Sequence, residues 1–465
     1  MSTFAVTEIT HDGWQPYVPS VKQPWNLSRV VHLHRRAGFA ATWTEIQRDL
    51  RDGPDASVSR ILNGTSRADG LRQDFDVIAT SLATAAEAAS QGSRLPAWWV
   101  FRMLFSPDPL GERLTLMWHN HFATSNLKIE NLVLMRRQNE IFREYARAPF
   151  GDLLRRVVKD PAMLEWLDAS ANRKEHPNEN LAREIMELFT LGVGNYTESD
   201  VKQGARALTG WTHKYDRFCE IPQYYDDGEK TILGQTGNWR GDDFVDLLLA
   251  RPATTRRLAF RLCELFMGEE VVSPGQLESL ASALRENRLT IGCGVERILR
   301  SDAFFDESNI RSRVSDPTQY VIGAARVLEQ FDPPLSTVLM AEWIGRMGLE
   351  LFNPPNVFGW RGGRTWINSR SVVARTNYAC ELVEGALLHS SKNSVDVLEL
   401  IERHSGKSDT ESGIRFLCQL ILGAEPSPEL ERELQSTADR SPKLDATAAR
   451  RIAISLLSSP EAQIC

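Results

Sequence analysis

Long apolar runs are missing from this chain, and so is strict alternation of apolar and polar residues. No stretch approaches the roughly 20 apolar residues that a helix needs to cross a bilayer, so no membrane span is expected. With almost no period-two pattern, there is little from which to build a half-buried sheet. Cysteine is sparse: Cys219, Cys263, Cys293, Cys380, Cys418 and Cys465 lie far apart and none forms a CxxC, which argues against a zinc ribbon or a disulfide framework. Basic surplus is also lacking. A formal net charge of −7 argues against a general nucleic-acid binder, whose affinity rests on neutralising phosphates. The opening MSTFAVTEITHDGW has neither a basic n-region nor an apolar h-region, and a cytoplasmic location is the expectation. HExxH, a P-loop, GxGxxG after a strand and GxSxG are all absent, so serine-hydrolase and nucleotide-binding readings have no local motif behind them.

What is present is the composition of a folded, soluble protein. In 465 residues, 42% are apolar and 25% charged, enough for a large core. Short helices punctuated by glycine dominate: Asn26 caps one that runs to Ala37, Trp43, Ile46 and Leu50 mark another, and Phe75 to Ala86 a longer one. The pattern reads as all-α. It divides into an irregular segment at 1–24, a main helical domain at 25–390 and a small C-terminal helical subdomain at 391–465. Two loops interrupt it. Residues 220–239 are polar and turn-rich, and residues 353–368, NPPNVFGWRGGRTWIN, combine stiff prolines with permissive glycines around Trp360 and Trp366.

Chemistry concentrates in NENLAREIMELFTLGVGNYTESDVKQGARALTGW, residues 178–211, read as helix, turn, helix. At about 100° per residue, Asn180, Arg183, Glu184 and Glu187 share one side, beside an apolar seam of Leu181, Ile185 and Leu188. Gly192 supplies a left-handed stop, and Thr197 with Asp200 has the spacing of a capping box for a second helix bearing Arg206. Either these groups are exposed ion pairs on solvated faces, or Glu184 and Glu187 are buried with Arg183 or Arg206 as counter-charge. If buried, the two carboxyls titrate apart and serve as general acid and general base, or bind a divalent metal. His119 and His121 in LGERLTLMWHNHFATS (110–125) are the candidate imidazoles, although on a continuous helix their rings diverge by about 200°. A core histidine is the alternative reading of each. Trp211, Trp360 and Trp366, with Asn356 and the glycines, are candidates for an aromatic platform that binds a glycan or peptide, with core packing as the alternative.

Several blocks together resemble the bacterial family called domain of unknown function 1800. They are VVHLHRRAGFA (30–40), MWHNHFATS (117–125), KDPAMLEWLD (159–168), the NEN-x-ARE-x-MEL and ARALTGW elements, DDGEKTILG (226–234), PPNVFGWRGG with WINS, and SSPEAQ. Tyr225 stands where relatives commonly carry His, and Ala40 where Gly is usual. The resemblance implies a mainly helical protein, often encoded beside a sulfatase- or phosphatase-like partner, with no established activity. It also implies that the blocks converge, so that His119 or His121, Asn180, Arg183, Glu184, Glu187 and Arg206 line one pocket roofed by Trp211 and the 353–368 loop. Three functions compete: a hydrolase-like enzyme, a glycan- or peptide-binding module, and a non-catalytic assembly partner.

Overall fold

A computed structural model describes residues 13–64, 70–89, 92–331, 334–387, 395–438 and 441–465. Within them are 24 α-helical segments and two two-stranded sheets, so the fold is all-α as the glycine-punctuated pattern implies. No described helix is long and apolar enough to cross a membrane. The expected boundary at 390/391 falls outside the described residues.

Helix boundaries follow the capping chemistry. Asn26 accepts from the Arg29 N–H at the start of Leu27–Ala37, and Thr197 and Asp200 form a reciprocal box at the start of Glu198–Ala207. The 220–239 segment is more ordered than its turn-rich composition suggests. It completes a hairpin of Trp211–Lys214 with Arg217–Glu220 and forms a second of Lys230–Ile232 with Gln235–Gly237. Among the described residues four α-helices follow residue 395: Val397–Ser405, Thr410–Leu422, Pro428–Thr437 and Ala446–Ser458. Their Leu400, Leu417 and Ile452 share a core with Tyr378 and Leu382 of helix Ser369–Glu384.

Apolar side chains gather into two cores, and helix Pro109–His121 runs between them. Leu116 belongs to one core, and Leu110, Leu114, Met117 and Trp118 to the other. Every residue of this helix except Pro109 and Asn120 is buried, as expected of a helix with no solvent face. Such a position makes its polar residues expensive unless paired. Glu112 is 1% exposed, and its carboxylate accepts from Trp99 Nε1 at 3.1 Å, Arg102 Nε at 3.0 Å and Arg143 Nε at 2.7 Å. Burial alone would push this carboxyl up, but the Arg143 and Arg102 guanidiniums outweigh it and hold it at about 2. One buried carboxylate thereby ties three helices together.

Candidate functional site

Where the two cores separate at the surface there is a cleft of about 610 Å³. Its walls come from segments far apart in the chain. Helix Pro109–His121 supplies Arg113, Leu116, Met117 and Asn120, and the end of helix Pro252–Phe266 supplies Phe260, Arg261 and Glu264. The following turn adds Glu269, and the 353–368 loop adds Trp360, Gly362, Gly363 and Trp366. Leu116, Leu349 and both tryptophans belong to one core, whereas Met117, Cys263, Leu265 and Met267 belong to the other. The cleft is therefore a seam, the kind of place where concave ligand sites form.

Two pins hold the loop against the seam. Asn120 accepts from the Trp360 N–H at 2.7 Å and donates to the Trp360 carbonyl at 3.4 Å. Glu269 accepts from the Arg364 N–H at 3.2 Å and pairs with its guanidinium at 3.2 Å. Glycine is required beside both pins. Gly359 has φ +74° and a Cβ there would lie 2.1 Å from Asn120 Oδ1, while Gly363 has φ +64° and a Cβ would lie 2.1 Å from Glu269 Oε1. The indoles of Trp360 and Trp366, 7% and 8% exposed, are thus part of the core and part of the cleft wall together.

Of the residues singled out in the sequence, Trp360 and Trp366 line this cleft. His119 lies next to it but is sealed. Its ring is packed among Trp99, Phe142, Phe352 and Trp360, with centroids 5.4, 6.1, 5.5 and 5.5 Å away. Neither ring nitrogen has a hydrogen-bond partner, and burial lowers its pKa to about 3. The helix stays unbroken through Trp118, so His121 points elsewhere and bonds the Phe189 carbonyl at 3.1 Å. Burial, followed by the charges of Arg261 and Arg257, keeps His121 neutral. Neither imidazole joins Glu184 or Glu187, and no group of three or more metal-ligating side chains occurs among the described residues. The two histidines do not converge with Glu184 and Glu187 on one pocket, because an all-round buried helix delivers them into aromatic cores and not onto a polar face.

Glu184 and Glu187 are half-buried on a different patch. Their helix, Asn180–Glu184, continues as a π-helical stretch, Ile185–Thr190, in which the Leu191 N–H donates to the Met186 carbonyl at 2.8 Å. Such widened turns recur at functional sites. Glu187 accepts a hydrogen bond from the Tyr196 hydroxyl, and Arg257 donates to the Leu188 carbonyl at 2.7 Å. Burial and the neighbouring Glu187 charge raise the Glu184 carboxyl to about 7, with Arg183 opposing. Arg183 itself is committed to Glu179 at 2.9 Å and Glu198 at 2.8 Å, and Asn180 is exposed. A folded-state pKa raised above that of the unfolded chain gives stability that is present below about 4.5 and lost as pH rises through about 7. Glu184→Gln should therefore flatten the decline of stability across that window, measured by chemical denaturation at a series of pH values. An unchanged slope would mean that Glu184 titrates as a solvated carboxyl.

The remaining candidates organise the chain elsewhere. Arg206 grips Asp226 through two bonds of 2.7 and 3.0 Å and so orders the turn before Lys230–Ile232. Lys230, 1% exposed, donates into that turn at the carbonyls of Asp226 and Gly228. Tyr225 stacks between Lys230 and Arg240, with its hydroxyl 3.3 Å from the Trp239 carbonyl. Trp211 is buried against Phe218 and Gly241, with the Lys159 ammonium 5.2 Å from its ring. Asn356 is exposed and caps its own turn by accepting from the Phe358 N–H. The cleft residues that the sequence did not single out are Arg113, Arg261, Glu264, Glu269, Arg313 and Asp316. They sit in no motif, and Arg261 with Glu264 has the spacing of an ordinary surface pair.

A family model described as "Protein of unknown function (DUF1800)" matches residues 32–464. No curated protein and no solved structure matches the chain.

Proposed function

The chain belongs to this uncharacterised family, and from that premise we propose that it binds a compact organic ligand in the cleft beneath the 353–368 loop. The observation that carries the reading is the cleft itself: about 610 Å³, within the roughly 300–1,000 Å³ of small-molecule sites, with mainly apolar walls and a few convergent charges. Trp360 and Trp366 offer two aromatic surfaces, which suits a sugar face, a peptide side chain or another ring. The loop is pinned at Asn120 and Glu269. Little ordering cost therefore remains for binding to meet.

A direct test uses N-phenyl-1-naphthylamine, a neutral probe whose fluorescence rises on leaving water. Wild-type protein should bind it and transfer excitation from tryptophan. Leu277→Trp, which fills the cleft from a half-buried position, should weaken binding at least about ten-fold. Equal binding by both proteins would remove the cleft as the ligand site.

A second reading, general acid–base catalysis by a hydrolase-like enzyme, has its own support in the raised Glu184 carboxyl beside Glu187 and Tyr196. On this reading Glu184 supplies a proton near neutrality beside Glu187, which accepts a hydrogen bond from the Tyr196 hydroxyl. Metal assistance finds no ligand set on that patch among the described residues, and the reading proceeds without it. Release of p-nitrophenol from a panel of esters and glycosides should vanish in Glu184→Gln while folding is retained. Release that persists in the variant counts against catalysis there. The assembly-partner reading rests on the family's gene context alone.

A further inference from the structure

The charges at the inner end of the cleft are not balanced. Arg113 and Arg313 both line it together with one carboxylate, Asp316. Arg113 pairs with Asp316 Oδ2 at 2.7 Å. The other oxygen of Asp316 is occupied, accepting from the Thr318 hydroxyl and from the Gln319 N–H at 2.9 Å as the cap of helix Pro317–Val327. Arg313 is left to donate to a neutral acceptor, the Leu265 carbonyl. Glu264 offsets Arg313 only in part, since it is exposed to solvent and engaged by Arg261 at 2.6 Å. Arg113 and Arg313 thus face one buried carboxylate, which hydrogen-bonds Arg113 and not Arg313. The other acids lie at the mouth: Glu269 is paired with Arg364, and Glu270 is exposed, where solvent and salt screen it.

Burial makes a surplus guanidinium costly, and its cheapest remedy is an anion that brings its own acceptor oxygens. The Asp316 carboxyl is held well below the usual range because the charges of Arg113 and Arg313 outweigh burial, so it is already ionised and has no further negative charge to offer. Burial, and next to it the Arg113 charge, weakens the hold of Arg313 on its proton. An incoming carboxylate, sulfonate or phosphate reverses both effects. Arg113 also has a buried Nε with no hydrogen-bond partner.

We infer that the cleft selects ligands with an apolar body and one anionic group, and that Arg313, backed by Arg113, receives that group. The inference rests on the cleft being the ligand site. Arg313 is the discriminating position because it is half-buried and free of a carboxylate, whereas Arg113 is tied into the fold through Asp316.

Two fluorescent probes with nearly the same aromatic body separate the claims. 1-Anilinonaphthalene-8-sulfonate carries a sulfonate, and N-phenyl-1-naphthylamine carries none. Wild type should bind the sulfonate about ten-fold or more tightly than the neutral probe, and the preference should shrink as salt is raised. Arg313→Gln should lose most of the preference, read as the ratio of the two affinities within that one protein, and its denaturant midpoint reports separately that the fold is intact. Arg313→Lys should restore much of it, since charge and not shape is at stake. Equal affinity of wild type for the two probes overturns the anion inference and leaves the cleft reading standing. A preference that survives in Arg313→Gln overturns the assignment to this residue. If neither probe binds, the cleft reading fails first and the anion inference with it.

Discussion

Glu112→Gln is expected to destabilise the protein by about 3–5 kcal/mol, the usual cost of removing one member of a buried ion pair and leaving the other. The variant keeps the shape of the side chain but removes the charge that faces both Arg102 and Arg143. Two guanidiniums, 14% and 16% exposed, would then sit on a neutral amide. Chemical denaturation at neutral pH measures the loss directly. The same residue sets an acid limit. A carboxyl held at about 2 when folded and near 4.5 when unfolded gives stability that is complete above about 4.5 and lost as pH falls through about 2. Wild type should therefore lose stability across that window and Glu112→Gln should lose less. A variant within about 1 kcal/mol of wild type would show that the arginines reach water instead.

Gly359→Ala is the second large effect, expected at about 2–4 kcal/mol. Two costs combine. An L-residue at φ +74° meets its own backbone at about 1–2 kcal/mol, and the new Cβ meets the Asn120 side chain at 2.1 Å and its carbonyl at 2.6 Å. Flexible side chains give way, but the carbonyl belongs to helix Pro109–His121 and cannot move without disturbing both cores. The strained peptide precedes Trp360, so the expected outcome is an indole lifted from the cleft wall and weakened binding of the neutral probe. Denaturation and probe titration read the two consequences separately. Full stability with wild-type binding would mean that the loop shifts as a unit and that the Asn120 pin does not hold it.

How much of this was legible beforehand depends on the range of the interaction. Asn26, Thr197 with Asp200, and Gly192 mark their helix ends in the chain because a cap involves groups only a few residues apart. The glycines and tryptophans of 353–368 announced a constrained loop for a similar reason, since positive φ is a local demand. Two expectations did not survive packing. His119 and His121 sit in aromatic surroundings, and Arg206 serves Asp226, which lies 20 residues away in the chain. Helical periodicity says which side a residue faces, but not what stands opposite.

By itself, the sequence determined the all-α class, several helix ends, the family and the loop that walls the cleft, because each depends on residue type and short spacing or on many blocks read together. Tertiary structure alone decided that Glu184 and Glu187 lie apart from both histidines, and that Arg113, Arg313 and Asp316 share the floor of one cleft. The cleft arises where the two apolar cores meet. The charge balance at such a seam is a sum over side chains up to some 200 positions apart, as with Arg113 and Asp316, and no local pattern encodes that sum.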